Sequence, residues 1–274
     1  MFYDIHGNPI NALYDMDGNP VTPLSKKPLR IMTYNVGGWY DGTGQNVPSA
    51  KDPAYYQLQY GTIADANPDI LFINEYWDQF SKTGRTALSI LSDFFPYIEA
   101  HHGTETVLGR CVCSKFPLSN YTERLFNAGE PDARFYDTVE ANIDGRTVTL
   151  CMTFFWWNDT DIRKAEAEIL IPFLQSLDTP FICAGDINTG RAVDLTNVIQ
   201  PMVNAGFIVT NRATFGSYVT YMDTIGSGGY GSVDNIIFSP DFTVEKIWVD
   251  KRKLTDGITT ETVDHMPLIV EAGF

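Results

Sequence analysis

Residues 179–188 limit the possible folds of this chain more than any other segment. Their apolar part, residues 181–184, is typical of a short strand that is buried on both faces, and a glycine then interrupts the pattern. Asp186 and Asn188 follow with one residue between them, so in an extended chain their side chains point to the same side. Such a pair can position water or a phosphate. The structural alternative, an Asp that caps a loop and an Asn in an Asx turn, suits the Asn-Thr-Gly sequence that comes next.

The rest of the chain alternates between the patterns of strands and helices. Apolar runs predict strands over residues 29–35, 69–75, 107–113, 136–143, 146–155, 232–239, 244–249 and 264–271. Apolar residues three and four apart predict helices over residues 55–66, 86–95, 162–177 and 195–203. Asp144-Gly145 predicts a hairpin, and residues 216–231 are typical of a glycine- and tyrosine-rich loop. This mixture predicts two packed sheets with helices on the outside.

The first 28 residues contain a short internal repeat. Residues 3–10, Tyr-Asp-Ile-His-Gly-Asn-Pro-Ile, are echoed by residues 14–21, Tyr-Asp-Met-Asp-Gly-Asn-Pro-Val. Each copy has a Gly-Asn-Pro turn, which predicts a hairpin-like appendage over residues 1–28, followed by one domain over residues 29–274. Asp15 and Asp17 resemble the start of a calcium loop, but no Glu follows at the distance that such a loop needs.

The composition is that of a globular protein with a strong negative charge. Of its 274 residues, 44% are hydrophobic and 19% are charged, which excludes a disordered chain. The formal net charge of −15 argues against sequence-independent adhesion to polyanions, since such binding depends on Lys and Arg. A nuclease is not excluded, because carboxylates can hold a divalent ion that binds phosphate.

Targeting signals and cysteines bear on where the protein works. No apolar run approaches the roughly 20 residues of a transmembrane helix, and the N-terminus lacks the features of a signal peptide. The four cysteines lie in apolar, strand-like runs without the spacing of metal ligands: Cys111, Cys113, Cys151 and Cys183. We therefore expect four buried free thiols, a reducing compartment and a cytoplasmic location.

Polar side chains stand at five of the predicted strand ends. They are Asn35, Glu75, Asp186 with Asn188, Asp234, and Asp264 with His265. A purely structural protein is not expected to have polar side chains of these types at five strand ends. In type and order, Thr-Tyr-Asn35, Asn-Glu75, Gly-Asp186-Ile-Asn188, Ser-Val-Asp234 and Asp264-His265-Met-Pro-Leu resemble the DNase I-like endonuclease/exonuclease/phosphatase superfamily. The resemblance covers residues 29–274.

This resemblance implies a four-layered α/β sandwich, in which two packed mixed β-sheets are flanked by helices around a single cleft. It also implies that phosphoesters are hydrolysed with Mg²⁺, or with Mn²⁺. Glu75 would then be the main metal carboxylate, and Asn35 and Asp264 would support the coordination of the ion.

The same resemblance assigns the remaining residues to the reaction itself. Asp186 would activate or orient the attacking water, and Asn188 would hold the nucleophile or a phosphate oxygen. His265 would contact the scissile phosphate or act as acid and base, and Asp234 would orient the imidazole and raise its pKa. These residue types suit in-line displacement at phosphorus, which depends mainly on positioning and charge neutralisation.

Each of these residues also has a structural interpretation. Asn35 would cap a loop, Glu75 would pair with a Lys or Arg, and Asp234 would belong to a turn with the asparagine that follows it. His265 would be a core histidine whose ring nitrogens are satisfied by neighbours.

One position departs from the motifs of this superfamily. Where its members usually have a histidine, or in some cases a tyrosine, this chain has Phe154, which cannot donate to a phosphate oxygen. Without a histidine here, a second acid/base group is missing, so that turnover would be lower or the leaving group would need no protonation. Alternatively, another residue would take the role of the histidine: Asn158, His101, His102 or a tyrosine of residues 218–230. The aromatic residues 154–157 would stack on bases or pack on a sugar or lipid, or else fill space between sheet and helix.

The leading hypothesis is a Mg²⁺-dependent phosphodiesterase, and within that class a nuclease acting on DNA or RNA. Small or lipid phosphoesters stay open as substrates, because basic residues that can meet a polyanion are sparse: Arg85, Arg110, Arg124, Arg134, Arg163, Lys164 and Arg191. The hypothesis from a different class is a binding or appendage protein without catalysis, which Phe154 allows. We expect a monomer.

Overall fold

Two mixed six-stranded β-sheets pack face to face in the computed structural model, and helices cover their outer faces. The structure describes residues 13–14, 20–21, 27–36, 53–76, 85–101, 109–129, 134–212, 219–222, 230–250 and 265–274. The predicted arrangement of two packed mixed sheets flanked by helices is confirmed.

Six strands form the first sheet. They are β3 (Leu29–Asn35), β4 (Ile70–Tyr76), β5 (Tyr97–His101), β6 (Gly109–Ser114), β15 (Thr243–Val249) and β16 (Leu268–Gly273). Their order is β15-β16-β3-β4-β6-β5, in which only β3 and β4 are parallel neighbours. The helices α1 (Pro53–Ala66) and α2 (Ala87–Leu91) cover the outer face.

Six strands also form the second sheet. They are β7 (Leu118–Thr122), β8 (Phe135–Ile143), β9 (Arg146–Phe154), β10 (Phe181–Asp186), β11 (Ile208–Val209) and β14 (Asp234–Phe238). Their order is β11-β14-β10-β9-β8-β7, with β9 and β10 parallel. The helices α3 (Thr160–Gln175), α4 (Ala192–Asp194) and α5 (Gln200–Asn204), with a π-helical turn at Leu195–Ile199, cover its outer face.

The alternation of side chains along the strands explains this layering. On β3, Ile31 packs between the sheets, whereas Met32 packs towards the helices. On β10, Ile182 packs between the sheets and Cys183 towards the helices. Every central strand is therefore buried on both faces, which is why the sequence shows continuous apolar runs there.

Local signals in the sequence fix several element ends. The hairpin between β8 and β9 turns at Asp144 and Gly145, whose φ angles of 52° and 85° are those of a type I′ turn. α3 begins at Thr160 because the Asp159 carboxylate accepts hydrogen bonds from the backbone N–H groups of Asp161 and Ile162.

The structure corrects some of the predicted elements. β5 and β7 were not predicted, because they are half-exposed strands at the sheet edges without a continuous apolar pattern. The helix predicted for residues 86–95 is only the short α2, capped by Thr86. The predicted loop 216–231 contains two short paired strands, β12 (Tyr221–Met222) and β13 (Tyr230–Gly231).

In the N-terminal segment, β1 (Leu13–Tyr14) pairs with β2 (Pro20–Val21) in antiparallel orientation. Most other residues of the predicted appendage lie outside the described part of the chain, and its separation from the domain at residue 28 stays a prediction. The four cysteines are buried and free, as expected. Among the described helices, none combines the length and apolar character needed to span a membrane.

Candidate active site

The polar strand ends of both sheets meet at one edge of the sandwich. Asn35 ends β3 in the first sheet, and Asp186 ends β10 in the second. Asn35 Nδ2 donates a hydrogen bond to Asp186 Oδ2 at 3.1 Å, although 151 positions separate the two residues. The structure therefore brings together two of the residues that the sequence placed at strand ends.

Glu75 joins this pair through the same amide. Asn35 Nδ2 also donates to Glu75 Oε1 at 3.0 Å, so one side chain lies between two carboxylates. Glu75 has a φ of 59°, and it sits where the pairing of β4 with β6 shifts register between Asn74 and Tyr76. A bulge of this kind re-aims a side chain, and here it places Glu75 beside β3 instead of leaving it in the regular strand.

Burial governs the chemistry of Asp186. Asp186 is only 2% exposed, and the burial of its carboxyl group away from water raises its pKa to about 7. His265 and the backbone N–H of Asn188 lower that pKa, whereas the charges of Asp234 and Glu75 raise it. A carboxyl group with this pKa exchanges a proton readily near neutral pH.

Asn188 does not stand in an extended chain, as the same-side prediction assumed. Its φ of 51° turns the chain, and its backbone N–H donates to Asp186 Oδ1 at 2.9 Å. Its side-chain Nδ2 donates to the carbonyl of Phe155 at 2.9 Å. Asp186, and not Asn188 as in the structural alternative, thus makes an Asx turn, and this turn orients the Asp186 carboxylate.

His265 and Asp234 form a second pair at the same edge. His265 Nδ1 lies 2.9 Å from Asp234 Oδ2, and its Nε2 lies 3.8 Å from Asp186 Oδ2. Asp234 is fully buried, and its Oδ1 has no hydrogen-bond partner among the described residues. Asp234 therefore orients the imidazole with Nδ1 towards itself and Nε2 towards Asp186.

The donor set fits a hard divalent cation. Ligand atoms of Asp186, Asp234 and His265 lie within 4.8 Å of one another, and Glu75 reaches Asp186 through the Asn35 amide. Carboxylate and amide oxygens are ligands that Mg²⁺ prefers, and several buried carboxylates repel one another without a cation. Asp264, the third predicted metal ligand, lies outside the described residues.

Gly185 and Asn74 connect the two sheets beside the site, and Asn74 is not among the site residues predicted from the sequence. Asn74 Nδ2 donates to the carbonyl oxygen of Thr153 at 3.2 Å. Gly185 has a φ of 148°, and a Cβ added there would lie 1.9 Å from that same oxygen. The signal in the sequence was an amide directly before Glu75 and a glycine directly before Asp186.

Phe154 lies beside Asp186 on the face between the sheets. The two residues are partners in the parallel pairing of β9 and β10, and partners in register point to the same side. Phe154, Phe155 and Trp156 are buried, which supports the space-filling interpretation for these three, whereas Trp157 is 59% exposed. Of the proposed substitutes for a histidine here, His101 ends the edge strand β5 of the first sheet and is paired with Glu123, and His102 lies outside the described residues.

The sequence matches the Endonuclease/Exonuclease/phosphatase family over residues 32–256. This chain belongs to that family. The matched region ends before His265. The position of His265 beside Asp186 is therefore seen in the structure and not in the family match. A comparison with curated proteins found no match.

Several solved structures have a fold similar to that of this chain. Truncated TDP2 from Caenorhabditis elegans is 16% identical, with a TM-score of 0.69, covering 92% of this chain and 100% of that one. Humanized TDP2 from D. rerio is 14% identical, with a TM-score of 0.65, covering 90% and 99%. The 3′ phosphatase NExo from Neisseria, bound to a product DNA hairpin, is 16% identical, with a TM-score of 0.61, covering 90% and 100%. At these identities the similarity establishes the fold.

Proposed function

We propose that this protein is a Mg²⁺-dependent phosphodiesterase that cleaves nucleic acid, a reaction in which Mn²⁺ can replace Mg²⁺. The observation that carries the proposal is the Asn35 amide between the carboxylates of Glu75 and Asp186, beside the pair of His265 and Asp234. Membership of a family of endonucleases, exonucleases and phosphatases supports phosphoester hydrolysis as the reaction class.

Glu75 and Asn35 would hold the ion, together with Asp264 on the strength of its sequence position. Their oxygen donors suit a hard cation that keeps part of its water shell. When bound, the ion supplies positive charge to the oxygens of the phosphoryl group. Asn35 also keeps the Glu75 and Asp186 carboxylates at a fixed separation, because one amide group donates to both.

Asp186 is proposed to orient the attacking water and accept its proton. A pKa near 7 lets this carboxyl group accept a proton at neutral pH and release it again after each turnover. Asn188 acts on this step by positioning, since its backbone N–H holds Asp186 Oδ1 and its side chain holds the Phe155 carbonyl.

His265 is proposed to contact the scissile phosphate through Nε2. Its Nδ1 is occupied by Asp234, whose full burial keeps the imidazole in one orientation. Nε2, which lies 3.5 Å from Asn35 Nδ2 and 3.8 Å from Asp186 Oδ2, is therefore the ring nitrogen that faces the proposed reacting centre.

Release assays on plasmid DNA, RNA and bis-p-nitrophenyl phosphate, with Mg²⁺ or with EDTA, test this function. We expect hydrolysis only with the metal, and a loss of at least 100-fold in Asp186→Ala and in His265→Ala, as is usual for groups at the reacting centre. His101→Ala is the matched control, because this histidine also faces a carboxylate, Glu123, but outside the site. No metal-dependent hydrolysis of any phosphoester would instead favour a binding protein without catalysis.

A further inference from the structure

A row of one arginine and three aromatic side chains runs from Asp186 to the exposed ring of Trp157. Phe154 lies next to Asp186 on the face between the sheets. The Arg134 guanidinium lies over the rings of both Phe154 and Trp156, with its Cζ 4.3 Å and 4.8 Å from the ring centroids. The ring centroids of Trp156 and Trp157 are 6.1 Å apart. Cation and rings thus form one continuous series of contacts that begins at the proposed water-activating carboxylate, with Phe154 and Trp156 buried and Trp157 exposed.

Arg134 provides a positive charge where the surrounding chemistry is negative. The nearby side chains of the site are mostly acidic, and the whole chain has a formal charge of −15. A guanidinium held over two aromatic rings keeps its charge, and the rings restrict its orientation before any ligand arrives. Its planar set of N–H donors matches the oxygens of a phosphate.

Trp157 is an exposed ring on a rigid backbone. At 59% exposure, it is the most exposed large hydrophobic side chain in the described part of the protein. Its carbonyl accepts a hydrogen bond from Arg163 at 2.9 Å, and the backbone N–H of Trp156 donates to both carboxylate oxygens of Glu166. Arg163 and Glu166 are fully buried, so the hydrogen bonds that hold the backbone of Trp156 and Trp157 are shielded from water.

We propose that this row binds a single-stranded nucleic acid next to the scissile bond, with a backbone phosphate on Arg134 and an unpaired base stacked on Trp157. Alternating cationic and aromatic groups are the general solution for binding single strands, since every base has a planar face and every nucleotide a phosphate. The proposal rests on the proposed phosphodiesterase function, and it narrows the nucleic-acid substrate to a single strand.

Binding to the inactive Asp186→Asn variant tests the row without any need for turnover. The probe is a fluorescein-labelled single-stranded 12-nucleotide DNA in Mg²⁺, read by fluorescence anisotropy and compared with the same backbone carrying abasic positions. We expect Trp157→Ala to weaken binding of the base-bearing strand about 10-fold and to leave the abasic strand unchanged, while Trp157→Phe restores most of the affinity. Arg134→Ala should weaken both strands and reduce the salt dependence by about one phosphate contact.

Arg146→Ala is the matched control. Arg146 begins the strand that Phe154 ends, and its Cζ also lies over an aromatic ring, that of Phe274, at 3.9 Å. Its loss should leave binding of both strands unchanged. The proposal is overturned if Trp157→Ala weakens the base-bearing and abasic strands equally, or if neither Arg134→Ala nor Trp157→Ala changes the affinity.

The outcome for the row is separate from the outcome for the proposed function. Metal-dependent hydrolysis of bis-p-nitrophenyl phosphate together with unchanged DNA binding in both variants would remove the row and leave the phosphodiesterase in place. Base-dependent binding through Trp157 without hydrolysis of any phosphoester would remove the enzyme and leave a nucleic-acid-binding surface.

Discussion

A Cβ atom on Gly185 would lie 1.9 Å from the carbonyl oxygen of Thr153 on the neighbouring strand. That oxygen is not free to move away, because it accepts a hydrogen bond from the Asn74 side chain of the opposite sheet. Gly185 also has a φ of 148°, a conformation that L side chains rarely adopt. The residue before Asp186 is therefore fixed as glycine by two independent requirements, and both concern the contact between the sheets at the site.

We expect Gly185→Ala to destabilise the protein by about 3 kcal/mol or more, because a backbone clash and a strained φ act together. Urea unfolding at constant m-value measures this change. Gly206→Ala is the control, since its φ is also positive, at 88°, but nothing lies within 4 Å of the added Cβ. We expect a loss of about 1 kcal/mol there, and equal losses in both variants would contradict the argument.

The sequence predicted much of the fold because its central strands are buried on both faces. Runs such as residues 69–75 and 181–184 stay apolar throughout, and this pattern is visible without any tertiary information. The edge strands β5 and β7 were missed because they are half exposed and their pattern is mixed. Pairing at a sheet edge is decided by the neighbouring strand, which the local sequence does not contain.

The composition of the site was predicted better than its internal geometry. Strand ends that carry Asn35, Glu75 and Asp186 were visible as polar residues after apolar runs. That one amide joins Glu75 to Asp186 depends on a bulge in β4 and on the packing of two sheets, and neither is encoded in local spacing. For the same reason, local spacing does not decide between an extended chain and a turn at Asn188.

The raised pKa of Asp186 predicts a specific pH dependence of stability without metal. Its pKa is about 7 in the folded protein and about 3.8 when solvated, so the folded state binds more protons between these values. The contribution of Asp186 to the free energy of unfolding is therefore present at low pH and is lost as pH rises towards 7. The loss is at most ~1.4 kcal/mol for each pH unit.

Asp186→Asn should remove that dependence. We expect its stability relative to the wild type to increase from pH 4 to pH 7 and to stay constant above, measured by urea unfolding in EDTA. Asp178→Asn is a control on a carboxylate in the loop before β10, outside the site. A constant difference between Asp186→Asn and wild type across this range would show that Asp186 titrates normally.

Metal binding to the site should be visible as thermal stabilisation. Without a cation, Glu75 and Asp186 repel each other across the Asn35 amide, so an ion that binds only the folded state stabilises it. At ten times its Kd, Mg²⁺ contributes about 1.4 kcal/mol, which for a chain of this size is roughly 3 to 6 °C in Tm.

Glu75→Gln should abolish most of this Tm shift, as differential scanning fluorimetry with and without MgCl₂ can show. Glu168→Gln is the control, because Glu168 lies on the exposed side of α3 and its side chain is 66% exposed. An undiminished shift in Glu75→Gln would place the ion elsewhere.

The buried ion pair of Arg163 and Asp194 predicts a large and non-additive effect on stability. Arg163 donates to both Asp194 carboxylate oxygens, at 3.0 and 3.1 Å, and both residues are fully buried. Arg163→Met leaves the Asp194 charge buried without its partner, which typically costs about 3–5 kcal/mol. Adding Asp194→Leu removes that uncompensated charge, so the double variant should unfold at a higher urea concentration than Arg163→Met alone.

Arg85→Ala is the surface control, since Arg85 and Asp93 form an exposed pair on the outside of the molecule, and no measurable change is expected. If the double variant were the less stable one, Asp194 would stabilise the protein through contacts other than its pair with Arg163, because both variants lack the arginine and its hydrogen bonds to the carbonyls of Trp156 and Trp157. The backbone N–H of Arg191, which donates to Asp194 Oδ2 at 2.9 Å, is such a contact.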